Sequence, residues 1–224
     1  VTGHVGGDAK AGDTVTLTVN GKPFTGTVAA DLTFSINVPG SDLAADPDRV
    51  IDASVTTTDA AGNPASATDT EGYSVNLSAP SVLVDILDPA LNVADKVSTV
   101  TFTFSEAPVG FTAADITAVG GTVSGLTATA NPLVYTATYT ANDGFTGTGS
   151  VSVTAGSYTN AALNAGTGHS DNVAVDTAPP VPSITLDAAI TADDIINATE
   201  AGQPIPVTGH VGGDAKAGDT VTLT

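Results

Sequence analysis

The sequence predicts an all-β protein made of tandem β-sandwich domains in an elongated array. Residues 1–18 read VTGHVGGDAKAGDTVTLT and recur unchanged as residues 207–224, so the period of the repeat is 206 residues. Short runs rich in Val, Thr, Ile and Phe alternate apolar and polar residues, and clusters of Gly, Asn, Asp and Pro separate them, as in sandwiches. A period this long exceeds one solenoid or propeller unit, so it is expected to hold whole domains.

Seven runs carry the strand pattern most clearly. They cover residues 14–19, 24–28, 32–38, 51–57, 97–104, 134–139 and 149–154. Asn20-Gly21 joins the first two runs, and this dipeptide predicts a type I′ hairpin because both of its positions accept a positive φ. No long segment has helical periodicity, and only residues 194–201 are predicted to form a helical turn.

Two proline-containing segments are predicted to be domain junctions. VNLSAPSVLVDILDP at 75–89 and VDTAPPVPSITLD at 175–187 share the pattern of a final strand followed by a stiff linker. The preceding loops, TDAAGN at 58–63 and TNAALN at 159–164, also match. We therefore expect two related domain types. Their segments are a sandwich lacking its first strand at 1–77, a complete sandwich at 81–180, and the start of the next copy of the first type at 181–224.

The charge balance excludes several functions. The chain has 24 acidic and 5 basic residues and a formal net charge of −19, so it repels phosphate backbones and anionic membrane surfaces. No nucleic-acid partner is expected, and no apolar stretch is long enough for membrane insertion. Because Cys is absent, disulfides cannot stabilise the domains, and the many carboxylates point to calcium, which prefers oxygen ligands.

The candidate calcium ligands fall into two groups near the predicted junctions. The denser group comprises Asp176, Asp187, Asp193, Asp194, Asn197 and Glu200. The other group comprises Asp59, Asn63, Asp69, Glu71, Asp85 and Asp88. Carboxylates this close repel one another unless a cation neutralises them or they are solvated on a loop, and both alternatives stay open. For Asp59, a role in a turn is an equal alternative, because Asp and Asn side chains often bond their own backbone.

Nothing in the sequence supports catalysis. His4 and His210 occupy the same repeat position, His169 is the remaining histidine, and a Cys nucleophile and a G-x-S-x-G motif are both absent. A glycosidase site would need an aromatic cleft, whereas aromatic residues make up 4% of the chain and Trp is absent. The chain is therefore expected not to be an enzyme. Thr on alternate strand positions leaves a carbohydrate- or ice-binding module as one alternative, and a self-assembling extracellular filament subunit is another.

Several stretches resemble the extender repeats of giant bacterial adhesins of the repeats-in-toxin type, which are exported by type I secretion and support biofilms. The resemblance covers essentially the whole chain and rests on VTGHVGGDAKAGDTVTLTVNGKPFTGTV, TDAAGNPASATDTEGYSV, FTFSEAPVGFTAADITAVGGTVSGLTATANPLVYTATYT and VDTAPPVPSITLDAAITADDIINATEAG. It implies immunoglobulin-like sandwiches whose junctions are stiffened by calcium. The residues that it implies as ligands are Asp176, Asp187, Asp193, Asp194, Asn197 and Glu200 at one junction, and Asp59, Asn63, Asp69 and Glu71 elsewhere. The first junction departs from the family pattern, because Asn76 stands where an acid such as Asp176 is expected.

The resemblance also implies a function and a location. The chain would be a structural spacer at the bacterial cell surface, outside the cell, and would serve cell adhesion and biofilm formation. Its expected partners are the neighbouring repeats of the same chain. Head-to-tail self-association stays open, because the strand that the first domain is predicted to lack lies in residues 181–206.

Overall fold

The computed structural model describes all 224 residues and is almost entirely β-structure, as the sequence predicts. It divides into two compact units, Val1–Leu77 and Ser78–Thr224. None of its helices is both long and apolar enough to cross a membrane.

The first unit contains six strands and one short helix. They are β1 (Thr2–His4), β2 (Thr14–Val19), β3 (Lys22–Thr27), β4 (Thr33–Ser35), α1 (Gly40–Ala45), β5 (Val50–Thr58) and β6 (Pro64–Gly72). One sheet has the strand order β3-β2-β5-β6, and β1 pairs with β4 in a second, two-stranded sheet. The β2–β3 hairpin turns at Asn20 and Gly21, whose φ values of 53° and 70° confirm the predicted type I′ turn.

The alternation of residues in β2 creates the core of the first unit. Val15, Leu17 and Val19 are each 1% exposed, whereas the threonines between them are more exposed. Ile51 on β5, in the same sheet, and Ile36, in the loop that follows β4, belong to the same core. The period-2 pattern therefore places one face of β2 inside the sandwich, as expected for a half-buried strand.

The second unit contains ten strands and two short 3-10 helices, Ala113–Asp115 and Glu200–Gly202. The strands are β7 (Val82–Ile86), β8 (Ala90–Asn92), β9 (Val97–Phe104), β10 (Ile116–Val119), β11 (Gly121–Ala128), β12 (Val134–Ala141), β13 (Thr146–Val153), β14 (His169–Asp176), β15 (Pro182–Leu186) and β16 (Gly209–Gly213). Two four-stranded sheets, β11-β12-β9-β7 and β10-β13-β14-β8, enclose one core. β15 and β16 form a separate two-stranded antiparallel sheet.

A cluster of aromatic rings fills one part of this core. The ring centroid of Phe104 lies 4.9 Å from that of Phe111, 5.0 Å from Tyr158 and 5.8 Å from Tyr135. All three pairs meet edge to face, which is a favourable geometry for aromatic quadrupoles. Four of the ten aromatic residues of the chain thus stabilise one part of this core.

The chain enters this sandwich at one end and leaves it at the other. Near the first end, the backbone amide of Thr167 donates to the carbonyl of Pro80 at 2.9 Å. From there the chain runs through β14, which is parallel to β8, and Asp176 lies beside Asn92. At about 3.3 Å per strand residue, this path is roughly 30 Å long. Pro80 and Asp176 therefore lie at opposite ends of the sandwich.

Two helical segments differ from the sequence-based expectation. The helix α1 was not predicted, and the turn expected at 194–201 is instead the 3-10 helix Glu200–Gly202. Arg49 donates to the carbonyls of Leu43 and Ala44, at 3.0 and 2.6 Å, and the Tyr73 hydroxyl donates to that of Leu43 at 2.8 Å. Side chains from beyond the helix thus satisfy its last carbonyls, and a periodicity window cannot detect such contacts.

Candidate functional site

The two junction aspartates at the ends of β14 and β15 make side-chain contacts within the sheets. The hydroxyl of Thr146 donates to Oδ1 of Asp176 at 2.9 Å. The hydroxyl of Thr208 donates to Oδ2 of Asp187 at 2.5 Å, and Nε2 of His210 lies 3.7 Å from the other carboxylate oxygen. Asp187 therefore links β15 to the strand beside it.

The remaining acidic residues of this group shape the loop that follows β15. Asp193 and Asp194 each accept a hydrogen bond from a backbone amide within four residues, both at 3.2 Å. The amide of Asn197 donates to the Glu200 carboxylate, and the amide of Glu200 donates to the Asn197 side-chain oxygen, both at 3.1 Å. This reciprocal pattern resembles a capping box and explains the 3-10 turn that starts at Glu200.

The 58–63 loop of the first unit is an Asx turn. Oδ1 of Asp59 accepts from the amides of Ala61 and Asn63, at 2.9 and 2.8 Å, and Oδ2 accepts from the Asn63 side-chain amide at 2.8 Å. The hydrogen bond from the Asn63 side chain, followed by that from its backbone, holds the pKa of Asp59 below its ordinary value. Asp59 thus acts as the turn former that the sequence allowed as an alternative to a metal ligand.

The other predicted ligands of the first group lie on strands or directly after one. Asp69 and Glu71 are on β6, where every residue is exposed. Asp85 is exposed on β7, and Asp88 follows that strand, with its backbone amide donating to the Ser98 hydroxyl at 3.1 Å. Asp69 and Glu71 belong to the first unit, and Asp85 and Asp88 belong to the second.

The predicted calcium ligands make local contacts in the structure. Calcium requires six to eight oxygen ligands around one position. No group of three or more His, Cys, Asp or Glu side chains is arranged to hold a metal ion. Several of the predicted ligands instead accept local hydrogen bonds from amides and hydroxyls. The donor chemistry suits calcium, and no ligand set is assigned.

A buried polar residue that the sequence did not single out lies where the chain enters the complete sandwich. Asn160 is 1% exposed, and its Nδ2 donates to the Ser78 carbonyl and to Oε2 of Glu106, both at 3.0 Å. Its Oδ1 accepts from the amides of Ala162 and Asn164, at 3.1 and 3.0 Å. Asn160 therefore forms the same turn as Asp59 and also fastens the linker, a role that the alignment of TDAAGN with TNAALN could have indicated.

Tyr158 makes a second connection between the same linker and the sandwich. Its hydroxyl shares its one proton between the carbonyls of Pro80 and Thr167, at 3.3 and 3.0 Å, while its ring packs in the aromatic cluster. Burial raises the pKa of this phenol. His169 adds a further contact, because its Nδ1 accepts from the amide of Val84 at 3.1 Å. The start of the sandwich is therefore held by side chains from the connection between β13 and β14 and from β14 itself.

Comparison with known proteins agrees with this architecture. The family model of the bacterial Ig-like domain matches residues 76–177. The structure of a Ca2+-stabilized adhesin that helps an Antarctic bacterium reach out and bind ice has 29% identity and a TM-score of 0.59, over 95% of this chain and 52% of that one. This chain thus spans about half the length of that structure. Comparison with curated protein sequences found no match.

Two further structures are similar. One concerns the host cell surface retention of a 1.5-MDa bacterial ice-binding adhesin, with 30% identity and a TM-score of 0.52, over 96% of this chain and 69% of that one. The other is an immunoglobulin-like domain of the M. primoryensis ice-binding adhesin, with 47% identity and a TM-score of 0.32, over 34% of this chain and 72% of that one. The chain belongs to the family of bacterial immunoglobulin-like domains that build giant adhesins.

Proposed function

We propose that this chain is a structural extender in a bacterial surface adhesin, where it separates an adhesive domain from the cell. It acts as a non-enzymatic spacer outside the cell. In this proposal the domains are residues 1–77, residues 81–180 and, from 181 onward, the next copy of the first type. The similarity to adhesin structures supports this role, and so does the unchanged repeat of residues 1–18 at 207–224.

The observation that carries the proposal is the path of the chain through the complete sandwich. The chain enters beside Thr167, at Pro80, and leaves after Asp176, beside Asn92. A domain with its two ends at opposite poles adds its own length to an array each time it is repeated. A domain whose ends lie side by side would add bulk and little length.

The attachment of the linker supports a spacer that resists bending. Asn160 and Tyr158 hold the carbonyls of Ser78 and Pro80, so the residues just before β7 are bonded to the sandwich. Proline at position 80 restricts the backbone further. A linker that is fixed at its attachment point transmits orientation from one domain to the next better than a free chain does.

Calcium binding at the domain ends is part of the proposed function. Its support is the chain's net charge of −19, the acidic loop at 187–200 and the similarity to a Ca2+-stabilized adhesin. Clustered carboxylates repel one another, and a divalent cation removes that cost. The proposal concerns binding by the chain's acidic residues, without assigning individual ligands.

The distance between the two ends of the sandwich tests the proposal. The chain has no Cys, so Cys introduced at the exposed positions Ser81 and Ala178 can carry spin labels. The account predicts a label distance of about 30 Å, from strand length alone. A matched pair at Ser81 and Thr167, which lie at the same end, should give a much shorter distance. Equal distances for the two pairs would contradict the proposed geometry.

A further inference from the structure

One edge of strand β1 is unpaired in the first unit. β1 pairs with β4 alone. On the β4 side, the carbonyl of Val1 accepts from the amide of Ile36 at 2.8 Å, and the amide of Val5 donates to the carbonyl of Leu32, the residue before β4, at 2.9 Å. Because hydrogen bonding alternates along an antiparallel strand, the backbone groups of Thr2 and His4 face the other edge. That edge presents donors and acceptors to solvent.

In the second occurrence of this sequence, strand β16, the edge that corresponds to the free edge of β1 is paired. β16 repeats residues 3–7 and lies beside β15. The carbonyl of Thr208 accepts from the amide of Asp187 at 3.0 Å, and the amide of Asp214 donates to the carbonyl of Val181 at 3.2 Å. Thr208 is the repeat equivalent of Thr2, so the groups that bind β15 here are those left unpaired on β1.

Side chains reinforce this pairing, and their equivalents are present in the first unit. Oδ2 of Asp214 accepts from the amide of Val181 at 2.7 Å. Asp8 is the equivalent of Asp214, and its backbone carbonyl, not its carboxylate, accepts from Thr57. The first unit therefore carries both the backbone pattern and the carboxylate that recognise the beginning of β15.

A groove with an apolar floor runs along the unpaired edge of β1. Its volume is about 420 Å³, and it lies between β1 and β6. Buried core residues form its floor, with Phe34 at one side; they are Val15, Leu17 and Ile51. The wall on the β6 side is polar and includes Asp69 and Glu71. The floor therefore fits the apolar face of a strand, and the wall fits its polar face.

β15 is such a strand, and its apolar face is uncovered. Every residue of β15 is exposed, with Ile184 at 57% and Leu186 at 59%. Ile184 lies directly opposite Val211, the equivalent of Val5, and directly opposed residues point to the same face of a sheet. Because Val5 packs on the core of the first unit, Ile184 paired in the same register on β1 would enter the groove.

We propose that the β15 strand of a second copy of this chain binds the free edge of β1 and completes the sandwich of the first unit. The register is that of β15 on β16, so Thr2, His4 and Gly6 bond to the incoming backbone. β15 paired with β16 forms only a two-stranded sheet, which is marginally stable. Paired with β1 of another copy, it would make the same hydrogen bonds and would bury additional apolar surface. Where a further copy precedes this sequence in one polypeptide, the same strand is supplied within the chain.

The duplicated sequence provides a matched pair of variants. His4→Pro removes an amide from the free edge of β1 without removing one that faces β4. His210→Pro makes the same change in the same local sequence on β16, and releases β15. Sedimentation of the full chain over a range of concentrations should show self-association that His4→Pro weakens at least tenfold and that His210→Pro keeps or strengthens. A wild-type chain that stays monomeric, or equal losses in both variants, would overturn the proposal.

A second experiment uses a competing peptide, so that the proposal can still be tested if His4→Pro unfolds the first unit. A peptide with the sequence of residues 181–206 should bind the wild-type chain and dissociate its oligomers. The same peptide with Ile184→Asp should do neither, because it places a charge in the apolar groove. Oligomers that persist in saturating wild-type peptide, or equal binding of the two peptides, would contradict β15 as the occupant.

Discussion

The side-chain amide of Asn160 lies 3.0 Å from the carboxylate of Glu106 and holds it beneath the linker at Ser78. In the first unit Asp59 occupies the equivalent turn position, is exposed, and bonds only within its own loop. The same turn therefore has two different roles: it closes the loop in the first unit, and in the second unit it also attaches the linker. At Asn160 the amide adds two donors, which Asp cannot supply, and the linker is attached through them.

Replacing Asn160 should destabilise the complete sandwich in a pH-dependent way. Asn160→Ala leaves buried partners unbonded and is expected to lower the free energy of unfolding by about 2–3 kcal/mol. Asn160→Asp keeps the turn but places a second carboxylate against Glu106, which raises the pKa of one of them in the folded state. Its destabilisation should be largest at neutral pH and shrink as the pH falls through that raised pKa. Denaturant unfolding at pH 7 and pH 4 measures both effects, and a pH-independent deficit would contradict the account.

Asp59 should contribute to stability with the opposite pH dependence. Its pKa is lowered in the folded state by the hydrogen bonds from Asn63 and Ala61, so its contribution is present above the unfolded pKa and is lost as the pH falls through the folded one. Asp59→Asn keeps an acceptor for the turn and should flatten the acid limb of the Tm profile. Asp59→Ala should lower the Tm at neutral pH as well. Identical profiles for wild type and Asp59→Asn would show that the turn does not depend on the charge.

Removing the Tyr158 hydroxyl should weaken the attachment of the linker. Tyr158→Phe keeps the ring in the aromatic cluster but leaves the carbonyls of Pro80 and Thr167 without this donor. We expect a loss of about 1–2 kcal/mol in the free energy of unfolding. Tyr135→Phe is the matched control, because the Tyr135 ring packs on the same cluster and its hydroxyl has no protein partner. If both variants lost a similar free energy of unfolding, the hydrogen bonds from the Tyr158 hydroxyl to the two carbonyls would not contribute to stability.

Calcium should raise the thermal stability of the chain, and EDTA should reverse the effect. A cation that binds only the folded state stabilises it in proportion to the logarithm of its concentration. The double variant Asp193→Asn and Asp194→Asn removes two charges from the acidic loop and should reduce the calcium-dependent shift. Asp143→Asn, which removes an exposed carboxylate paired with Lys96, is the control. A Tm that neither calcium nor EDTA changes would refute calcium binding under these conditions.

The sequence predicted the architecture better than it predicted the site. β2 and β9 have the predicted bounds of 14–19 and 97–104, and Asn20-Gly21 forms the expected turn, because these features depend on local alternation and backbone preference. Asn160 escaped prediction because its importance comes from burial beside Glu106, which lies 54 residues away in sequence. A count of nearby acidic residues could not separate metal ligands from turn formers such as Asp59, because both need the same oxygens.

The length of chains with different numbers of repeats tests the extender role most directly. Small-angle scattering should be measured for chains of one, two and three periods of 206 residues. For the proposed extender, the maximum dimension should grow linearly, and each added period should contribute more than the roughly 30 Å path through one complete sandwich. A maximum dimension that grows only as the cube root of the chain length would show that the repeats fold back on one another, and would contradict the account.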